Sequence, residues 1–224
     1  KDLEDYMLFD SGDLNFPFGN SQRVVDLIAN HSKAIIDAGK IPFMIGGEHL
    51  VTLGSIQSVY EKYNDLHIIH LDAHADLRDD YMGQKLSHAT VLRRCHDILG
   101  DNRIHQFGIR SGTKEEFTWA KDHVNFNPFS LDGLKRVMTS LKDKPVYITI
   151  DLDVLDPSIF PGTGTIEPGG ISFLELIDAI KEFSNLNNIV GMDAVELSPH
   201  YDQSGMSTAV ACKVIREMAL IAIK

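Results

Sequence analysis

The sequence predicts an α/β protein of three layers, α/β/α, with a mainly parallel central sheet. Short apolar runs alternate along the chain with stretches whose apolar residues recur at three- and four-residue spacing. Alternation of this kind argues for βαβ units, with helices on both faces of a parallel sheet. No internal repeat, low-complexity tract or linker interrupts it. The length of 224 residues and the mass of 25.0 kDa suit one large core, and 43% hydrophobic with 24% charged residues is ordinary globular composition.

The strands are taken in order. Residues 41–45 (IPFMI) form the first and end in Gly46-Gly47. Residues 66–71 (LHIIHL) form the second. The runs 104–109 (IHQFGI), 146–150 (VYITI) and 189–192 (IVGM) follow. Helical patterns fill the intervals at 23–37, 49–60, 89–99, 113–122, 131–141, 173–183 and 207–223, as with Val24, Leu27 and Ile28 in the first. Ligands of such folds sit beyond the carboxyl ends of the strands, so the polar residues after each apolar run are the ones to inspect.

Composition narrows the function. A net charge of −11 argues against nucleic acid and against an anionic membrane surface as partners. The same surplus attracts cations, and ten histidines add imidazole to the supply of metal ligands. No apolar run reaches the ~18–20 residues that span a bilayer, and the first residues do not read as a secretory signal. Cys95 and Cys212 are too far apart in sequence to define a disulfide framework. Both are expected to be reduced and buried, in a cytoplasmic protein.

Three strand ends share one chemistry. Gly46-Gly47-Glu48-His49 follows the first run, Asp72-Ala73-His74-Ala75-Asp76 the second, and Asp151-Leu152-Asp153 the run at 146–150. If the chain stays extended there, alternation puts Asp72, His74 and Asp76 on one face, and Asp151 with Asp153 on another. Four carboxylates and two imidazoles then meet at a common point. Unneutralised, like charges at a buried strand end raise one another's pKa and are strongly unfavourable. Two divalent ions would balance four Asp. An oxygen-rich set without thiolate favours Mn(II) over Zn(II). Two ions that share carboxylates lie about 3.5–4 Å apart and can hold a bridging hydroxide. Any one of these groups alone reads as turn formers or helix caps, and Asp156-Pro157 is itself a turn signal. It is the set of three that points to metal.

The same segments resemble the signatures of the ureohydrolases, the arginase/agmatinase family. The resemblance continues in Ser87-His88-Ala89-Thr90, Pro161-Gly162-Thr163-Gly164-Thr165, Glu167-Pro168-Gly169-Gly170 and Asp193-Ala194-Val195-Glu196-Leu197-Ser198-Pro199. The wording of Lys85–Thr90 and of the Glu196–Pro199 ending is most like agmatinase. Arg78 stands where arginases tend to place a small amide for the substrate α-carboxylate. Ala75 stands where many relatives have Thr.

The resemblance implies a single arginase-like domain over residues 1–224. It implies two Mn(2+) per subunit held by His49, Asp72, His74, Asp76, Asp151 and Asp153. It implies attack of a bridging hydroxide on the guanidinium carbon of agmatine, giving putrescine and urea, with Asp76 moving the proton to the leaving amine. Glu196 would orient the guanidinium, His88 would shuttle protons or touch substrate, and Thr165 would add a hydroxyl contact. The same chemistry on guanidinobutyrate or another guanidino compound is the alternative, and a noncatalytic family member is a remote one. Relatives form homotrimers or homohexamers. They also carry a preceding segment with a further strand, so the physical protein is expected to be longer than this sequence. His31, His67, His70, His96, His105, His123 and His200 are left as structural or surface residues, with packing as the account of His67 and His70.

Overall fold

The computed structural model describes residues 3–222. The chain enters through α1 (Ser21–Asp37), whose first turn is capped by Asn20 Oδ1 accepting from the Arg23 N–H at 2.9 Å. Then follow β1 (Phe43–Ile45), α2 (Val51–Lys62), β2 (His67–Leu71), α3 (Val91–Leu99) and β3 (Ile104–Phe107). The second half holds α4 (Lys114–His123), β4 (Asn125–Asn127), α5 (Leu134–Ser140), β5 (Val146–Asp151), α6 (Phe173–Phe183), β6 (Ile189–Val195) and α7 (Met206–Ala222). Among the described residues the strands form one sheet, ordered β1-β6-β5-β2-β3-β4, and every pairing is parallel. The three-layer α/β fold expected from the sequence is the fold observed.

Residues alternate between the two faces of the sheet. Ile69, Leu71, Ile148 and Ile150 pack with Val137, Leu176, Ile180, Val214 and Met218 of α5, α6 and α7. Ile68, Tyr147 and Val190 pack with Val25, Ile56, Leu92 and Ala120 of α1 to α4. Gly191 lies in register with Tyr147, and a Cβ there would meet the Tyr147 ring at 2.5 Å. Only glycine leaves room for that ring to lie across the neighbouring strand.

Most boundaries move by one to three residues, for local reasons. The run at 104–109 stops as a strand at Phe107, because Gly108 turns with φ 83°. The helix expected at 113–122 starts where the sequence dictates. Thr113 and Glu116 exchange bonds in a capping box, and the Glu116 carboxylate also accepts from the Leu77 N–H at 2.9 Å. Strand β4 was not anticipated. Its sequence, Asn-Phe-Asn, has no apolar run, and only its pairing with β3 makes it a strand. Helix 207–223 is observed at Met206–Ala222, and residue 223 lies outside the described residues. The cysteines divide. Cys95 is buried, but Cys212 is exposed, because it falls on the outward face of α7.

Register sets the stage for the site. Ile45, Ala194, Ile150, Leu71 and Phe107 lie on one level across five strands. The segments that follow them leave the sheet along a single edge. One residue earlier, Asp193, Thr149, His70 and Gln106 form a second level. All four are fully buried. A row of polar side chains therefore lies directly beneath the carboxyl ends of the strands.

Candidate metal centre

His49 reaches the centre through a turn that only glycine permits. Gly46 and Gly47 have φ of 82° and 88°. The Gly46 N–H donates to Ala194 O, and the Glu196 N–H donates to Gly47 O, which ties the end of β1 to the end of β6. The Asp residues do not arrive by simple alternation. Asp151 ends β5, but Leu152–Val154 is a short 3-10 turn, with the Asp153 N–H donating to Asp151 Oδ1 at 2.9 Å. After β2 the chain also bends. The His74 N–H donates to Asp72 Oδ1, and Asp76 adopts φ 54°. Side chains of the predicted set converge through these Asx-type turns, not through extended backbone.

The convergence is tight. His49 Nδ1 lies 3.1 Å from Asp72 Oδ2, 3.3 Å from Asp76 Oδ2 and 3.3 Å from Asp151 Oδ2. His74 Nδ1 lies 3.0 Å from Asp153 Oδ2 and 3.5 Å from Asp72 Oδ1. Ligands at right angles, each about 2.1 Å from one ion, are about 3.0 Å apart. The spacing is thus that of ligands around a cation. His49 Nδ1 and Asp153 Oδ2 are buried with no hydrogen-bond partner. Orphaned polar atoms at such a depth are costly unless something binds them. The donor set fits metal on both counts, and Asp72 offers one oxygen to each half.

Without an ion the electrostatics are frustrated. Burial, Asp153 and Asp72 push the Asp151 carboxyl well up, and burial with Asp72 raises Asp76 to about 7. Burial and Asp72 also raise Asp153. Against the opposing effect of burial, Asp153 and Asp72 raise His74 to about 12, and Asp151, Asp72 and Asp76 raise His49 well above its usual range. Against the opposing effect of burial, His70, His49 and His74 hold the fourth carboxylate, Asp72, well below its usual range. Three buried carboxylates pushed up around a fourth that stays charged is a condition that a pair of divalent ions would relieve.

The buried row beneath supplies the supports. His70 Nε2 lies 2.7 Å from Asp72 Oδ2, and Gln106 Nε2 lies 3.0 Å from His70 Nδ1 and donates to Ala75 O at 2.7 Å. With the amide donating to Nδ1, His70 carries its proton on Nε2 and donates to Asp72. On the other side His49 Nε2 lies 2.9 Å from Thr149 Oγ1, and Tyr147 donates to Asp193 Oδ2 at 2.7 Å. His70, which packing was expected to explain, is instead held by hydrogen bonds. Arg110 was also missed. Its guanidinium donates to Asp153 O and Glu167 O, each at 2.8 Å, and pins the Asp153 turn to the glycine-rich loop. Two signals were available: His70 stands two residues before Asp72, and Thr149 two before Asp151, a spacing that points each pair the same way where the chain is extended.

Glu196, one residue past β6, has φ 66°, and its Oε1 accepts from the His49 N–H at 2.9 Å. Burial raises its pKa. Asp76 and Glu196 are two of five non-glycine residues with left-handed backbone among the described residues, and both lie at this centre. His88 stands at the rim. Its Nδ1 is 4.0 Å from Glu48 Oε2, and its ring lies edge-on to Tyr81 at 5.6 Å. Thr165 is exposed in the loop after Gly164, whereas the buried hydroxyl there is that of Thr163. From the same loop Glu167 Oε1 comes within 4.0 Å of His74 Nε2. Arg78 is engaged elsewhere, with Nε 3.5 Å from Glu116 Oε2 and its guanidinium 4.9 Å from the Tyr81 ring. No helix among the described residues is long and apolar enough to cross a membrane.

Comparison with known proteins identifies the family. The Arginase family model matches residues 1–221. An agmatinase from Bacillus anthracis is 49% identical over 224 residues, covering 98% of this chain and 77% of the relative. A guanidinobutyrase from Pseudomonas aeruginosa is 31% identical, covering 95% of this chain and 70% of the relative. A crystal structure from Clostridium difficile superposes with a TM-score of 0.96 at 52% identity, covering 99% of this chain and 81% of that one. With a family model spanning nearly all of the sequence and relatives at almost one-half identity, the chain belongs to the arginase family and within it is most like the agmatinases.

Proposed function

We propose that this chain hydrolyses agmatine to putrescine and urea with two Mn(2+) per subunit. The observation that carries the reading is the meeting of His49, Asp72, His74, Asp76, Asp151 and Asp153 at one edge, with orphaned donor atoms in both halves. His49, Asp72, Asp76 and Asp151 would hold one ion, and His74, Asp72 and Asp153 the other. An oxygen-rich set lacking thiolate supports Mn(II). When bound, the ions make hydroxide available as a nucleophile near neutral pH.

The protein's own groups do the rest. Glu196 presents a carboxylate that a planar guanidinium meets through paired, charge-assisted hydrogen bonds. Its left-handed backbone and its bond to the His49 N–H fix where that carboxylate points. Asp76 would carry the proton to the leaving amine. His88 exchanges protons or touches substrate at the rim, and Thr165 offers a hydroxyl from the loop. The substrate is a dication and the mouth is acidic, with Glu48, Glu167 and Glu196 near it. Arg78, already paired, supplies no evident partner for a substrate carboxylate. By the family resemblance, the working protein would be a cytoplasmic homotrimer or homohexamer in polyamine synthesis, built on a single domain.

A substrate panel scored for urea tests the reading. Agmatine is expected to exceed 4-guanidinobutyrate and arginine in kcat/KM. Equal or faster release from 4-guanidinobutyrate would move the specificity to the alternative. His70 gives a further prediction. His70→Phe keeps an aromatic ring but removes the donor to Asp72 and leaves Gln106 Nε2 with only its bond to Ala75 O. Such outer partners are typically worth about 10–100-fold in metal affinity. Equilibrium dialysis with Mn(II) is expected to show a loss of that size, and an unchanged affinity would reduce His70 to packing.

A further inference from the structure

We propose that His96, Asp101 and His123 form a second metal site, on the surface, for a divalent ion that favours imidazole, such as Zn(II), Ni(II) or Cu(II). The three come from separate segments: the last turn of α3, the loop after it, and the end of α4. His96 Nε2 lies 2.7 Å and His123 Nδ1 2.6 Å from the same Asp101 Oδ1. The three ligand atoms are all within 4.8 Å of one another.

The backbone holds them in place. The Gly100 N–H donates to His96 O and the Asn102 N–H donates to His123 O, both at 2.8 Å. The residues flanking Asp101 are thus tied to the two histidines themselves. Gly100 and Asn102 are left-handed, with φ of 80° and 62°, and this kink turns Asp101 back between the helix ends. Trp119 orients both rings, stacked on His123 at 4.2 Å and edge-on to His96 at 4.6 Å. Each histidine lies in the last turn of its helix, where the partial negative charge of the helix end favours a cation. The Arg93 guanidinium, 4.1 Å over Trp119, is the opposing charge, and it faces the indole.

Two imidazoles and one carboxylate suit borderline ions better than Mg(2+), Ca(2+) or Mn(2+). The ion takes the place now filled by the two hydrogen bonds to Asp101, with each ring moving its proton to its other nitrogen. Water completes the coordination. Asp101 precedes β3, so this cluster lies at the amino edge of the sheet, opposite the candidate centre, and shares no ligand with it. The site therefore stands or falls separately from the proposed catalysis.

Trp119 is the sequence's only tryptophan and reports the site directly. Protein first saturated with Mn(II) would be titrated with Cu(II), a quencher of indole emission, and with Zn(II) while melting temperature is followed. Saturable quenching at one equivalent and a Zn(II)-dependent rise in melting temperature are expected. In His123→Gln and His96→Gln both responses should weaken about tenfold or more in ion concentration, with urea release unchanged. Asp101→Asn, which leaves both rings in place, should show the same weakening. Absence of saturable quenching in the parent protein, or quenching equal in the three variants, would overturn the proposal.

Discussion

Replacing Asp151 by Asn is expected to stop urea release from agmatine and, in metal-free protein, to raise the melting temperature. The two effects have one cause. Asp151 is buried at the end of β5, 3.3 Å from His49 Nδ1, with its pKa pushed well up by burial, Asp153 and Asp72. With ions bound its charge is needed, so loss of it is expected to lower kcat by roughly 10³, or about 4 kcal/mol. Without ions the same charge is a burden, and an isosteric amide relieves it. Each kcal/mol gained raises the melting point of a domain this size by about 2–4 °C. Urea assay and calorimetry on one preparation read the two effects, and metal analysis gives its metal content. Retained activity with full metal content would show that Asp151 is no ligand.

The pH dependence of the metal-free protein follows from the same charges. Asp76 titrates near 3.8 when unfolded and at about 7 when folded, so the folded state holds extra protons between those values. Stability therefore falls as pH rises through that window. His74, raised from 6.5 to about 12, has the same sign, and its contribution declines as pH climbs above 6.5. Bound cations replace those protons, so metal affinity grows with pH. Melting curves with chelator and with Mn(II) are expected to diverge steadily from pH 5 to pH 8. A constant gap would contradict this account of the buried carboxylates.

Glu196→Gln is the second large effect, and it separates substrate binding from metal binding. The amide keeps an oxygen for the His49 N–H, so the backbone turn and the metal content should persist. What goes is the charge proposed to face the guanidinium. Hydrogen bonds to a charged partner are worth about 1.5–3 kcal/mol, so kcat/KM for agmatine should fall about 10–150-fold. Loss of metal in this variant would mean that Glu196 acts through His49 and not on substrate.

Much of this candidate site could be read in the sequence because each proposed ligand group directly follows an apolar run, and a parallel sheet sends all such ends to one edge. What could not be read is instructive. The idea that Asp151 and Asp153 share a face by alternation places them together for the wrong reason, since a 3-10 turn and its Asx bond aim Asp153. The supporting row of His70, Gln106, Thr149 and Asp193 is a property of register between strands distant in sequence. Nothing local to Gln106 says that it sits beside His70. Strand β4 was hidden because an edge strand needs no apolar run, and Cys212 was misjudged because one face of α7 is open to solvent.

The central claim is that one cluster of six side chains holds two ions that act together on a guanidino group. Titrating chelated protein with Mn(II) while measuring urea from agmatine tests it most directly. Activity is predicted to be absent in chelator and to saturate at two equivalents per chain. Urea release that persists without metal, or that saturates at one equivalent, would contradict it.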